Sequence, residues 1–586
     1  ELVAPITVNT VPPKTLDAFR DHGKVSLTLE GKEEQSEKVL DNLESLGISM
    51  KEITEQLEIE GVKSFSDSFT DLLNTIEQRQ NRILEQIGSL ADKVKSRISK
   101  LDKEKAIQRL FQHDPTLWTE DPAGQEEVRK RLGWLDSPRK SQDMLADLMG
   151  LLVACREAGY THALLLGMGG SSLAPEVMRE SFGYEKDSYA LDLSILDSTD
   201  PAQVKAAELR SPVQQTLYIV SSKSGTTSEI KAFLDYFWDL AVRTCGEKAG
   251  EHFVAVTDPG TKLEEIAIEK KFRNVFHGDP EVGGRYSALT AFGLVPAALM
   301  GVDLVKLLLS GQQMATHCSP EVTAGANPGL VLGALLGEAC LLGKDKLVFL
   351  SDSPISTFGT WLEQLIAEST GKQGKGIVPV EGTPSESISS EEDDRLYVYL
   401  HNNGEKAELL DTLQKNMQPV VEFMIPSPYN FGAEFYRWEI ATAIASAVIG
   451  INGFDQPDVQ DSKTRTASKV TAYRSEHKFD EGKPVWQSGD TSVYGKPFPG
   501  LSTANSLSEV VERFLDEVKP GDYIALNVYI PRNQANIDKM QWLRKIIGKA
   551  TDRVVTVGFG PRFLHSTGQL HKGGANNGVF LLVTTD

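Results

Sequence analysis

The sequence predicts an α/β protein with two doubly wound parallel sheets, a small α/β unit at the C-terminal end and a mostly helical N-terminal segment. Three observations carry this. Short apolar runs at His162–Leu166, Leu193–Leu196, Leu217–Val220 and Phe253–Val256 alternate with helical patterns, and that β-α-β-α order implies a parallel sheet. A second alternation follows Pro328, with strands at Lys346–Leu350, Leu396–Leu400 and Val420–Ile425. A third set of strands, Tyr523–Ile530, Arg553–Val557 and Val579–Val583, lies beyond Ser475–Ser502, which is rich in Gly, Pro and Ser and reads as a linker or surface loop.

The 586 residues suffice for three or four domains, and 40% hydrophobic residues can bury several cores. A net charge of −21 disfavours a nucleic-acid or anionic-membrane partner. An anionic ligand must then be held by local dipoles and a few cations. Cys155, Cys245, Cys318 and Cys340 are scattered without metal-ligand spacing, which suits a reducing cytosol and neither a disulfide framework nor a zinc site. The chain shows no signal peptide. The apolar stretch Leu330–Leu342 is too short for a membrane span and is interrupted by Glu338, so it reads as a buried helix. The first residue, Glu1, is not Met, and the chain reads as processed or truncated.

In chain order, Ile6–Val11 alternates like a strand ended by Pro12 and Pro13, and Thr15–Asp21 starts a helix closed by Gly23. Gln35–Leu46 is a second amphipathic helix. From Phe65 to Ile98 the apolar spacing predicts one long helix, weakly interrupted at Gly88. Residues 108–133 are polar and mixed, a connection with a short helix. The domains are read as 1–100, 101–325, 326–475 and 476–586.

The stretch Leu217–Glu229 organises the rest. A buried strand runs into Ser221-Ser222-Lys223-Ser224-Gly225-Thr226-Thr227, and a helix follows with Ile230, Phe233, Leu234 and Phe237 at helical spacing. A helix start carries unpaired N–H groups and a partial positive charge that attract anions. The hydroxyls of Ser222, Ser224, Thr226 and Thr227, with Lys223, can complete a phosphate cradle, whereas an ordinary cap needs one hydroxyl. The turn Gly167-Met168-Gly169-Gly170-Ser171-Ser172 departs from the dinucleotide fingerprint at Ser172. Its glycines let backbone amides close on a sugar or phosphate beside Gly170 and Ser171. Ligands of such sheets sit at the carboxyl ends of the strands, where both turns fall.

Three further stretches carry chemistry. Gly283-Gly284-Arg285 lets one guanidinium approach a ligand closely. Gln364 and Glu368 are four apart near the end of one helix and share a face. Asn452-Gly453-Phe454-Asp455-Gln456-Pro457 precedes Lys463 by a few residues. Near the C-terminal end, Leu564-His565-Ser566-Thr567-Gly568-Gln569-Leu570-His571-Lys572 places two histidines and a lysine in a Gly-rich turn after a strand.

The 217–229 stretch resembles the phosphate loop of sugar isomerase (SIS) domains, as in bacterial glucose-6-phosphate isomerases. Residues 140–475 resemble that family through four motifs in family order. The resemblance implies an aldose–ketose isomerase without metal or cofactor. It puts Glu368 at the proton-transferring base, Gln364 and Gln456 at substrate contacts, Arg285 beside the charged intermediate and Lys463 at ring opening. The family's usual histidine segment is absent after Glu368; Ser566–His571 resembles it with one extra residue, which points to His571 as ring opener. The resemblance also implies a cytoplasmic, possible homodimeric protein acting on a small sugar phosphate in glycolysis, with no nucleic acid and no membrane. Whether mannose 6-phosphate is accepted is not readable. A non-catalytic sugar-phosphate sensor is the alternative; such a protein would keep 222–227 and lose Glu368, Arg285 and Lys463.

The first 80 residues resemble the tail of transaldolase: Thr7-Val8-Asn9-Thr10-Val11-Pro12 as its last barrel strand, Thr15–Phe19 as a helix and Leu57–Phe65 as the closing stretch. A (β/α)8 barrel needs eight strands to close. This stretch is therefore expected to catalyse no dihydroxyacetone transfer between sugar phosphates, which an assay with fructose 6-phosphate and an aldose phosphate acceptor checks.

Overall fold

The computed structural model describes residues 4, 6–8, 10–28, 31–63, 86–184, 189–383, 393–404, 406–477 and 482–585, without the side chains of 407 and 458–463. The chain divides into two compact units, residues 1–82 and 83–586.

The first unit carries helices at Pro13–His22, Glu33–Ser45 and 50–63. Pro13 suits a helix start, where its missing N–H has no partner to lose. Gly23 ends that helix in extended backbone, φ −69°, so its role is not the left-handed cap expected of it. Residues 6–8 and 10–12 form no strand, because among the described residues no neighbouring strand offers them a partner.

The 65–85 part of the expected long helix lies outside the described residues. Gly88, at φ +52°, breaks the path before the helix Ala91–Lys103. Helices Ala106–Phe111 and Pro122–Arg129 follow where one short helix was expected.

The first sheet contains β1 His162–Gly167, β2 Asp192–Leu196, β3 Thr216–Ser221, β4 Phe253–Thr257 and β5 Asn274–His277. It is wholly parallel in the order β2-β1-β3-β4-β5. The alternation of side chains is visible in two cores: Ala163, Leu165, Leu217 and Ile219 face one, while Leu164, Leu166, Tyr218 and Val220 face the other with Phe233 and Phe237. Both faces are covered, so β3 is buried throughout and reads as a continuous apolar run.

The second sheet, also parallel, contains β6 Lys346–Ser351, β7 Val378–Val380, β8 Arg395–His401 and β9 Val420–Met424 in the order β7-β6-β8-β9. The segment expected to be a linker begins inside the helix Pro457–Glu476 and holds an antiparallel hairpin, β10 Trp486–Ser488 with β11 Thr491–Val493. The third sheet is parallel, β12 Tyr523–Tyr529, β13 Val555–Phe559 and β14 Gly578–Thr584, in the order β13-β12-β14.

The apolar stretch around 330–342 is the buried helix Pro328–Leu341, packed along Phe431–Ile449. Gly329, Gly333 and Gly337 lie one turn apart and make that approach possible. A Cβ on them would stand 2.4 Å from Ile440 Cγ2, 2.6 Å from the Ala441 carbonyl oxygen and 2.6 Å from Val448 Cβ respectively. The Phe431–Ile449 helix ends at left-handed Gly450 and hands the chain to 451–456, which reaches the candidate site. Gly333→Val should destabilise the protein by about 1–3 kcal/mol through overpacking. Gly150→Ala, on the exposed Leu145–Glu157 helix with nothing near its Cβ position, should stabilise it by roughly 0.5–1 kcal/mol. Denaturant midpoints measure both.

Candidate active site

The site gathers at the carboxyl ends of β1 and β3 and on the helix Phe358–Thr370. After β1, the 169–171 turn carries Gly169 at φ +55° and leads into the helix Leu173–Phe182. Gly170 packs directly on the Gly283–Arg285 turn: a Cβ there would lie 2.0 Å from the Gly284 carbonyl oxygen. A Cβ at Gly169 would meet the His565 carbonyl oxygen at 2.8 Å and Gln364 Nε2 at 2.9 Å. Gly170 thus owes its place to close backbone approach, and Ser171 is buried beside it.

After β3, the loop turns at Gly225, φ +66°, into the helix Ser228–Cys245. Ser222 Oγ lies 3.3 Å from Thr227 Oγ1, and Ser224 Oγ 3.0 Å from Thr226 Oγ1, with Ser224 and Thr226 exposed. Among the described contacts no side chain caps this long helix. Lys223 departs from its expected role in the cradle. Its Nζ donates to Asp258 Oδ2 at 2.5 Å and to the Asp279 carbonyl at 2.9 Å. Burial pushes the Lys223 ammonium pKa down and the Asp258 carboxyl pKa up, and the pair offsets both costs. The groups of this loop left for a ligand are its hydroxyls and the first amides of the helix.

At the centre stands Glu368, 8% exposed. Gln456 Nε2 donates to its Oε1 at 2.5 Å, and Gln364 Nε2 donates to its Oε2 at 3.2 Å. Arg285 Nη1 is 3.8 Å from Oε2. Arg285 is itself buried and fixed: Nε donates to Ser369 Oγ at 2.7 Å and Nη2 to the Gly453 carbonyl at 2.6 Å. Burial raises the Glu368 carboxyl pKa, against the opposing charges of Arg285, Lys372 and His565. A carboxylate moved toward neutrality is suited to take and return a proton.

Gln364 Nε2 also donates to the His565 carbonyl at 2.9 Å, and the His565 ring nitrogen Nε2 is 3.0 Å from Glu229 Oε1 in the first turn of the Ser228–Cys245 helix. His565 thereby joins the hydroxyl loop to the Glu368 helix. His571 does not sit there. It lies one helical turn further on, among Tyr523, Phe563 and Phe580, where burial pushes its pKa down to about 4. The six-residue helix Gly568–Gly573 carries its ring into the aromatic packing of the third sheet. The histidine of this motif that the structure brings to Glu229 and Gln364 is His565.

Lys463 lies on the helix Pro457–Glu476, and its side chain is outside the described residues. A different lysine enters the site. Lys372, 1% exposed, donates to the Asn452 carbonyl at 2.8 Å, the Asp455 carbonyl at 2.5 Å and Asp455 Oδ1 at 2.8 Å. Burial and the nearby Arg285 charge bring its pKa down to about 7. It ties down the loop that presents Gln456. The sequence signal available was its place four residues after Glu368, on the same helical face had the helix continued.

Parallel sheets bearing hydroxyl and glycine turns at their carboxyl ends define an α/β protein of the sugar isomerase (SIS) fold. Residues 153–386 match the family model described as phosphoglucose isomerase, and residues 1–76 match the model for transaldolase/fructose-6-phosphate aldolase. The two matches lie in tandem. The chain is 33% identical over 228 residues to a glucose-6-phosphate isomerase of a Synechococcus strain, covering 38% of this chain and 42% of that protein. It is 28% identical to one from a Geobacter strain, covering 52% of this chain and 64% of that protein, and 25% identical to one from Gloeothece citriformis, covering 69% and 81%. The match to the first two thus spans less than two thirds of their length. A hypothetical protein from Thermus thermophilus shares the fold at TM-score 0.55 and 24% identity, over 66% of this chain and 98% of that one. A glucose-6-phosphate isomerase from Chlamydia trachomatis does so at 0.50 and 22%, over 64% and 79%.

The raised Glu368 pKa has a stability consequence. An acid whose folded pKa exceeds its unfolded value of 4.5 makes the native state bind more protons, so stability falls as pH rises through that window. Glu368→Gln is therefore expected to raise the unfolding midpoint at neutral pH, with the gain vanishing near pH 4, as thermal scans across pH can show.

Proposed function

We propose that the chain interconverts glucose 6-phosphate and fructose 6-phosphate through an enediolate. The observation that carries this reading is the buried Glu368 carboxylate, held by Gln364 and Gln456 beside an immobilised Arg285. Moving a proton between C2 and C1 needs one group that accepts and returns it, and Glu368 is that group. The enediolate carries negative charge, which a guanidinium already fixed by Ser369 and Gly453 stabilises without reorganising. The phosphate is the handle: hydroxyls of Ser222, Ser224, Thr226 and Thr227 and the first amides of the Ser228–Cys245 helix receive it, and Gly170 and Ser171 border the sugar. Its binding energy orients the reacting carbons.

The substrate enters as a ring. His565, paired with Glu229, is the acid that protonates the ring oxygen as the ring opens, and Lys463 is the second group assigned to that step. A cytoplasmic setting is part of this proposal, and among the described residues no helix is long and apolar enough to cross a membrane.

Glu368→Gln should lower kcat for glucose 6-phosphate by roughly a thousandfold while leaving KM within severalfold. A coupled assay of fructose 6-phosphate formation, for the parent and the variant, decides it. Binding of glucose 6-phosphate by the parent without turnover would overturn the assignment and leave a sensor.

A further inference from the structure

We propose that Arg562 is a positioning residue: its paired ion bonds dock the 562–567 segment on the first sheet and so place His565 in the site. The inference rests on the ring-opening role given to His565 above and adds what holds that residue there.

The segment follows β13 and belongs to the third sheet's unit, whereas the groups it meets belong to the first two sheets. Arg562 is 8% exposed, and its Nη1 lies 2.5 Å from Asp197 Oδ2. Its Nη2 bonds Glu176 Oε2. Asp197 directly follows β2, and Glu176 sits on the Leu173–Phe182 helix that grows from the 167–172 turn. One guanidinium thus spans two elements of the first sheet. Glu176 Oε1 also takes Arg532 Nη1 at 2.7 Å, and the Arg532 amide donates to Gln203 Oε1 at 2.9 Å, so a second arginine of the same unit joins the contact. Burial would raise the Glu176 carboxyl, but the charges of Arg562 and Arg532 hold it at about 2.

On its other side the segment is held by the Glu368 helix. Ser566 Oγ donates to Glu363 Oε1 at 3.0 Å, and Gln364 Nε2 donates to the His565 carbonyl at 2.9 Å. His565 lies between these attachments, its carbonyl against Gly169 and its ring on Glu229. The salt bridge sits on one side of the histidine and the helix contacts on the other, so loss of Arg562 frees one flank. It also takes the guanidinium from buried Asp197 and leaves Glu176 with Arg532 alone, so water drawn in to solvate these carboxylates loosens the segment's seat on the sheet. Lysine cannot replace it, since a single ammonium lacks the planar fork that meets both carboxylates. Arg562 acts on the reaction only through His565.

The test uses the full chain. The ring substrate is glucose 6-phosphate. The open-chain probe is an aldotetrose 4-phosphate, whose esterified O4 cannot close a ring, followed by exchange of its C2 proton with deuterated water. Arg562→Ala and Arg562→Lys are expected to lower kcat on glucose 6-phosphate by roughly tenfold to a hundredfold, with exchange on the tetrose changed by less than about threefold. Added guanidinium should partly restore Arg562→Ala on the ring substrate and leave the tetrose rate unmoved. Equal losses on both substrates, or no loss on either, overturn the proposal. If Arg562→Ala does not fold by circular dichroism, Arg562→Lys decides by the same criteria. His565→Ala separates the two readings. Selective loss on the ring substrate in that variant, with none in the Arg562 variants, sinks the positioning role alone. No selective loss in His565→Ala removes the assignment of the histidine itself.

Discussion

The arrangement depends on keeping one carboxylate usable inside protein. Taking Glu368 out of water favours its neutral form, and an unpartnered charge there would cost several kcal/mol. Two side-chain amides and one guanidinium at 3.8 Å replace part of the lost hydration without clamping the group in a tight ion pair. A bidentate arginine would hold the carboxylate ionised and make it a poor proton acceptor. Arg285 is kept from that geometry because Ser369 and Gly453 already claim two of its edges. The same anchoring leaves the guanidinium oriented for a second negative charge.

Each of those partners comes from a different stretch of chain, so the fold has to deliver backbone as well as side chains. The glycines do this. Gly170 lets the β1 turn touch Gly284, and Gly329, Gly333 and Gly337 bring two long helices together so that the 451–456 loop meets Lys372. The protein's net charge of −21 then does not obstruct binding of an anion. In the proposed reaction the attraction comes from a helix start and its hydroxyls, over distances shorter than the screening length of about 8 Å at physiological salt.

What could be read beforehand follows from this. Periodicity exposed most strands, because strands buried on both faces are uniformly apolar; β5 and β7 escaped, being short or polar, Asn274–His277 and Val378–Val380. The Gln364–Glu368 pair was legible because four residues on a helix fix the geometry locally. Lys223 was not, since its partners Asp258 and Asp279 lie on later strand ends and only the register of β3 beside β4 brings the first near. His571 followed from a resemblance with one extra residue before the histidine, and nothing in that spacing tells whether the residues before it form a helical turn or an extended loop. The motif is compatible with both. Arg562 had no local signal at all: Glu176 and Asp197 stand hundreds of residues away.

Glu229 shows how these long-range contacts bear on chemistry. A carboxylate in the first turn is a favourable partner of the helix dipole, yet it competes with any phosphate seeking the same amides. Its Oε1 is engaged instead by the His565 ring, 3.0 Å away. In the proposed reaction the phosphate handle and the group that opens the sugar ring are thereby joined through one carboxylate, so a change at either end of the contact reaches the other.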